Sequence, residues 1–299
     1  MSNIRFSGVM PELVTPFDEQ GHVNKKAVSD LMNWHFSCGI KGFYICGSTG
    51  EGPTLMRSTR MEMAEIAVET AKNRGVVIDH IGAPNSTDTI ELVKHATKIG
   101  VDGISSLAPT YLFNYTDDEL VDYYRRISDN TDKPVIVYAT TAMGVSDLPK
   151  LMGRLIEIPN VVGVKFTIHN YFEMRKIKEI NGGDINVING PDETLLCGLV
   201  MGADGGIGTT YNLMPDWYVK LYEAFRNNDI TLAREYQYKM NHVTDALMRF
   251  SSNGCIKATK IALQMKGFDV GGAVYPAHEY SKDERAALKA ELQKFGIEF

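Results

Sequence analysis

The chain is poor in several things, and each shortage removes a class of function. It has four cysteines in 299 residues. Cys38, Cys46, Cys197 and Cys255 lie far apart and form no CxxC pair, so a disulfide framework or a thiolate metal site is not indicated. Buried free thiols and a reducing, cytoplasmic setting are expected instead. Basic residues do not outnumber acidic ones: 31 Lys and Arg face 37 Asp and Glu, for a net charge of −6. That balance argues against bulk binding to nucleic acid or to an anionic membrane surface. No apolar run reaches the ~20 residues needed to span a bilayer. The start, Met1-Ser2-Asn3-Ile4-Arg5, lacks the apolar core of a signal peptide. There is no GxGxxG, HExxH or GxSxG, and no cluster of His and Asp with metal-ligand spacing. The seven histidines are scattered; His169 lies just past the sixth strand and could reach the mouth, though a solvated loop histidine is the expected reading. No metal or organic cofactor is expected.

What is present is alternation. Short apolar runs at 8–15, 42–48, 76–83, 103–108, 134–140, 161–167, 185–189 and 204–209 read as strands. Longer amphipathic stretches lie between them, among them 57–73, 87–99, 117–129, 147–157, 171–180, 192–201 and 214–226. Ser58, the capping box Thr116-Asp117-Asp118-Glu119 and Ser146-Asp147 mark helix starts. Eight such strand–helix units predict an α/β fold, a (β/α)8 TIM barrel, over residues 1–226. After the eighth unit the strands stop. Residues 229–250, 256–267 and 281–295 read as helices, so 227–299 is expected to be a C-terminal helical extension packed on the barrel. No linker or low-complexity segment separates the two.

In such a barrel the strand C-termini and the loops after them build the site. The sixth strand, Val161-Val162-Gly163-Val164-Lys165-Phe166-Thr167, carries a lysine in a β-branched run. A lysine there must either find a water-filled space or give up its proton. A neutral amine in a pocket attacks ketones and forms Schiff bases. With apolar neighbours such as Val164 and no adjacent carboxylate in view, Lys165 is expected to be held toward neutrality. The second strand ends in Gly47-Ser48-Thr49-Gly50-Glu51-Gly52, two hydroxyls between glycines that let the backbone approach a carboxylate. The fourth ends near Tyr111 and the fifth at Tyr138, phenols that can relay protons if in reach of substrate. The seventh ends in Asn189-Gly190-Pro191-Asp192-Glu193, whose acids suit either a helix dipole or a polyol. The eighth is glycine-rich, Gly202-Ala203-Asp204-Gly205-Gly206-Ile207-Gly208-Thr209-Thr210. It could bind phosphate in a barrel, but no basic residue flanks it.

Taken in order, Gly47-Ser48-Thr49-Gly50-Glu51, Tyr138, Gly163-Val164-Lys165-Phe166-Thr167 and Gly202 to Gly208 resemble the N-acetylneuraminate lyase / dihydrodipicolinate synthase family of Schiff-base (β/α)8 enzymes. The resemblance covers nearly the whole chain. It implies Lys165 as the imine-forming lysine, Tyr138 as the proton-relaying phenol and Ser48 with Thr49 as a carboxylate cradle. It also implies Tyr111 as a tyrosine linking neighbouring sites in a homotetramer. Dihydrodipicolinate synthases usually carry an arginine five residues after the tyrosine, and here Met143 stands there. A methionine cannot pair with a carboxylate. Thr167, Gly190, Asp192, Glu193 and Thr209 match the positions that contact the sugar in the sialic-acid lyase subgroup. Tyr138-Ala139-Thr140-Thr141 lacks the subgroup's usual proline, which is expected to loosen the following loop.

The implied reaction is cleavage of a 2-keto-3-deoxy sugar acid of the N-acetylneuraminate type to pyruvate and an aldehyde sugar such as N-acetylmannosamine. Within the family, 4-hydroxy-tetrahydrodipicolinate synthase or a 2-keto-3-deoxy-gluconate-type aldolase is the alternative. Outside it, the alternatives are a non-catalytic barrel that binds a keto acid and a phosphate-dependent barrel enzyme.

Overall fold

The computed structural model describes residues 6–110, 113–251, 254–274 and 276–299. Eight strands run parallel: β1 (Gly8–Pro11), β2 (Gly42–Ile45), β3 (Val76–His80), β4 (Gly103–Ser106), β5 (Val135–Thr140), β6 (Val161–Thr167), β7 (Asn186–Asn189) and β8 (Gly205–Gly208). Their order is β1-β8-β7-β6-β5-β4-β3-β2. A parallel bridge between Glu12 and Tyr44 joins the two ends and closes the barrel. Every strand falls inside the range expected from the sequence.

Helices α1 (Lys25–Ser37), α2 (Arg57–Ala71), α3 (Ser86–Ile99), α4 (Asp117–Ser128), α5 (Leu148–Leu155), α6 (Tyr171–Lys178), α7 (Leu195–Val200) and α8 (Pro215–Arg226) alternate with the strands. The Thr116 capping box is formed, with both reciprocal bonds to Glu119. Asp147 caps α5 by accepting from the Lys150 N–H. Ser58 does not precede its helix, because α2 already begins at Arg57. The segment after Tyr138 carries a local turn. The Thr140 hydroxyl accepts from the Ala142 N–H and closes a short helical turn over Thr141–Met143. That turn restrains the backbone where a proline was expected to be missed, and Met143 is buried in it.

Two faces of each strand explain the packing. Met10, Tyr44, Ile78, Ile136, Ile188 and Ile207 fill the barrel interior together with Phe6. Val135, Val137, Val161, Val164, Phe166 and Val187 point the other way, against α3 to α6. Burying each such aliphatic side chain contributes ~1.5–3 kcal/mol. On β6 this alternation puts Val164 and Phe166 under the helices and turns Lys165 into the lumen. Gly163 is required beside it, since a Cβ there would lie 1.9 Å from the Asn186 carbonyl oxygen.

Helices α9 (Ile230–Arg249), α10 (Ile256–Met265) and α11 (Lys282–Lys294) follow, close to the expected bounds. Met240, Leu247, Ile261 and Leu288 share one apolar cluster with Leu31, Met32 and Leu221 of the barrel's helices. Among the described residues the extension therefore has no core of its own.

Candidate active site

A cavity of about 280 Å³ opens at the C-terminal end of the strands. Glu12, Ser48, Thr49, Tyr138, Lys165, Thr167, Gly190, Asp192, Gly208 and Thr209 line it, and Gly254, Cys255 and Ile256 complete one wall. Seven strand-end positions expected from the sequence thus meet in one space: Ser48, Thr49, Tyr138, Lys165, Thr167, Gly190 and Asp192, with Thr209 as the eighth. Glu193 stands outside the lining, where its carboxylate is 2.8 Å from His169 Nε2. Tyr111 lies outside the described residues.

Lys165 is 1% exposed. Tyr138 is its register partner on the neighbouring strand, so the two side chains leave the sheet on the same face. The Lys165 Nζ lies 4.1 Å from the Tyr138 ring centroid and 4.2 Å from that of Tyr44. Two aromatic faces therefore cradle the amine, an arrangement that favours its cationic form. The Tyr44 hydroxyl is fixed by donating to Ser105 Oγ at 3.0 Å.

The expectation of a neutral lysine without a carboxylate neighbour is overturned. Glu12, just past β1, places Oε2 2.5 Å from Lys165 Nζ, with its side chain 5% exposed. Burial works to strip the proton from Lys165. The Glu12 carboxylate, with smaller contributions from Tyr138 and Asp192, outweighs it and raises the amine above the ordinary lysine range. The other Glu12 oxygen, Oε1, accepts the Thr49 backbone N–H at 3.0 Å. The residue expected to cradle a substrate carboxylate is thus already holding a carboxylate of the protein.

The remaining polar groups are set by their own partners. Thr49 Oγ1 and Thr209 Oγ1 are 2.7 Å apart and tie the second strand's loop to the eighth's. Asp192 accepts both the backbone N–H and the hydroxyl of Thr210, each at 2.7 Å. Burial nevertheless pushes its carboxyl up to about 7, helped by Glu193 and Glu12 and opposed by the Thr210 bonds. Gly208 is needed next to it, because a Cβ would meet Asp192 Oδ1 at 1.8 Å. Thr167 Oγ1 is buried without a hydrogen-bond partner, an unsatisfied group aimed at whatever fills the cavity. On β3, His80 accepts the Leu107 N–H at Nε2, which leaves Nδ1 to donate to the Cys46 carbonyl at 3.2 Å. Burial, Arg60 and Lys165 hold this imidazole well below its usual range, so it stays neutral. All four cysteines are free, though only Cys46 is buried.

Glu12 and Tyr44 were not singled out from the sequence. Glu12 gave the same signal as Lys165, an ionisable residue inside an apolar run, Val9-Met10-Pro11-Glu12-Leu13-Val14. Tyr44 gave none, since an aromatic in a buried strand is ordinary core.

A closed parallel barrel with a lysine amine, a phenol and convergent hydroxyls at its C-terminal mouth is the architecture of a barrel enzyme that handles carbonyl compounds. The chain belongs to the dihydrodipicolinate synthetase family, whose profile matches residues 5–295. It is 34% identical over 264 residues to N-acetylneuraminate lyase 2 of Escherichia coli O6:H1, covering 88% of this chain and 85% of that one. The solved N-acetylneuraminate lyase of Proteus mirabilis superposes with a TM-score of 0.92 at 28% identity, covering 99% of this chain and 100% of that one. A prophage protein of Escherichia coli K12 from the dihydrodipicolinic acid synthase family, solved in complex with pyruvate, superposes with a TM-score of 0.91 at 27% identity, covering 98% and 99% of the two chains.

Proposed function

We propose that this chain is a Schiff-base carbon–carbon lyase that cleaves a sialic-acid-type 2-keto-3-deoxy sugar acid to pyruvate and an aldehyde sugar. The observation that carries this is the buried Lys165 amine beside the Tyr138 phenol, at the strand ends of a barrel from this family. The lyase relatives support the sugar acid as substrate, and the pyruvate-bound relative supports the keto-acid half of the reaction.

The Lys165 amine attacks the C2 ketone of the open-chain substrate, and loss of water gives a protonated imine. This imine is an electron sink. When the C3–C4 bond breaks, its electron pair flows into the imine and leaves an enamine. Tyr138 takes the proton from the C4 hydroxyl and the aldehyde departs. Protonation of the enamine at C3 and hydrolysis release pyruvate and restore the amine. No metal or organic cofactor is required, because the lysine supplies the sink. Ser48 and Thr49 orient the substrate carboxylate, which reduces the entropic part of the barrier. Thr167, Gly190, Asp192 and Thr209, which line the cavity, serve the distant hydroxyls, where an unmatched partner discriminates strongly between substrates; Glu193, outside the lining, is held by His169. The synthase alternative lacks an anchor at Met143, which is buried and carries no charge.

A homotetramer, with Tyr111 near a neighbour's site, and a cytoplasmic location complete the reading on family resemblance. Sedimentation of the purified chain tests the first. The reading as a whole is tested by a substrate panel. N-acetylneuraminate should release pyruvate, whereas pyruvate with aspartate semialdehyde should not condense. Condensation without release from any sugar acid would reverse the assignment.

A further inference from the structure

We propose that Glu12 is a catalytic residue, the acid–base partner that takes the Lys165 proton before imine formation and returns it when water leaves. The proposal rests on Lys165 being the imine-forming amine and adds the group that makes this amine available.

The resting geometry poses a problem that the proposal answers. Lys165 carries its proton, gripped by Glu12 at 2.5 Å and sandwiched by two rings. An ammonium is not a nucleophile, so a base must act first. Glu12 is in contact with the reacting nitrogen, on the direct path of that proton. The other titratable groups facing the amine are less suited. Tyr138 and Tyr44 present ring faces to it. Asp192 is engaged with Thr210, and His80 has both ring nitrogens occupied.

The second Glu12 bond supplies the trigger. Oε1 holds the Thr49 N–H, the donor that a keto acid's carboxylate would use. A substrate carboxylate entering this cradle brings a second anion against Glu12 in a nearly closed space. Two carboxylates sharing a site favour the protonated form of one. The nearest proton is on Lys165. Substrate entry thus moves that proton to Glu12 and leaves a neutral amine facing the ketone.

The balance closes. The ammonium proton passes to the Glu12 carboxylate, giving an amine and a carboxylic acid. The amine nitrogen adds to C2, and one N–H proton passes to the former ketone oxygen, giving a carbinolamine. Glu12 then gives its proton to that hydroxyl, which leaves as water as the C=N bond forms. The iminium keeps its charge beside the regenerated carboxylate. Nothing is oxidised or reduced.

The test is borohydride trapping of pyruvate on the full-length enzyme, followed by mass under single-turnover conditions from pH ~6 to ~9.5. Wild type should trap readily at neutral pH. Glu12→Gln, which can keep the Thr49 contact, should trap about 10²-fold more slowly. With the carboxylate gone, burial alone favours the neutral amine, so what the variant lacks is the acid for water loss, and the gap should narrow toward pH ~6, where solvent supplies that proton. Glu12→Asp keeps the charge but withdraws it by one methylene, and it should recover only part of the rate. This variant carries the test if the glutamine form does not fold. Trapping by either variant at the wild-type rate, or faster with tighter pyruvate binding, would overturn the proposal and leave Glu12 as a mere occupant of the cradle. Wild type that forms no adduct at all would overturn the Lys165 reading and this proposal with it, so the two failures are told apart.

Discussion

Lys260 of α10 places its Nζ 3.0 Å from Glu51 Oε1 and donates to the Thr15 carbonyl at 2.9 Å. Both side chains are almost fully buried. Glu51 sits at φ +57 in the loop after β2, and its Oε2 accepts the Val274 N–H. One ion pair therefore pins the Ser48-Thr49 loop to the helical extension. Lys260→Met should strand the Glu51 carboxylate and cost about 3–5 kcal/mol, read by urea unfolding. Adding Glu51→Gln should recover part of that loss. Wild-type stability in the single variant would show the pair to be idle.

Lys165→Ala should abolish the borohydride-trapped pyruvate adduct and the release of pyruvate from sugar acid. A trapped adduct persisting in this variant would move the imine to another amine, and Lys260 would be the first to examine.

Tyr138→Phe should separate capture from cleavage. The adduct should still form, since the ring that packs on Lys165 remains, while kcat falls by about 10² or more with the loss of a proton relay. Unchanged turnover would remove the phenol from the reaction.

Thr167→Val tests the unsatisfied hydroxyl at the end of β6. It removes a hydrogen bond to a substrate hydroxyl and nearly preserves volume. A loss of about tenfold in kcat/KM for the sugar acid is expected, the scale of one neutral hydrogen bond. Pyruvate trapping should stay at the wild-type rate, because the pyruvate moiety has no distant hydroxyls.

Asp79 of β3 gives a pH signature. Burial pushes its carboxyl up to about 7, against the opposing pull of Arg60 and Cys46, and its Oδ1 has no partner. A carboxyl raised in the folded state binds more protons folded than unfolded between about pH 4 and 7, so stability falls as pH climbs through that window. Asp79→Asn should flatten the fall by about one proton, seen as a smaller difference between urea midpoints at pH 5 and pH 8. Asp192 shifts in the same direction, so some slope should remain.

Most of the barrel was legible because strand and helix periods are local properties. Helix α1 has no counterpart among the amphipathic stretches read from the sequence, and Ser58 lies inside α2, two residues past the cap at Met56. The lumen-facing side of β6 was legible for a different reason: one lysine in an apolar run has few places to go. Glu12 obeyed the same rule in β1 and escaped notice, since its partner is 153 residues away and a single acidic residue next to Pro11 reads as the end of a strand. The charge state of Lys165 followed from that omission. Burial alone points toward a neutral amine, and only the closure of the barrel, which brings the first strand's end across to the sixth, reverses the sign. Tyr44 and the Lys260–Glu51 pair were hidden in the same way, by contacts between residues far apart in the chain.

The wall formed by Gly254, Cys255 and Ile256 has a practical corollary for redesign. These three positions face the cavity yet belong to no strand, so saturating them with other side chains can retune substrate preference while the catalytic ladder stays untouched. Conversely, a shortened version ending at α8 would keep all eight strands and still present an open, unsupported bowl.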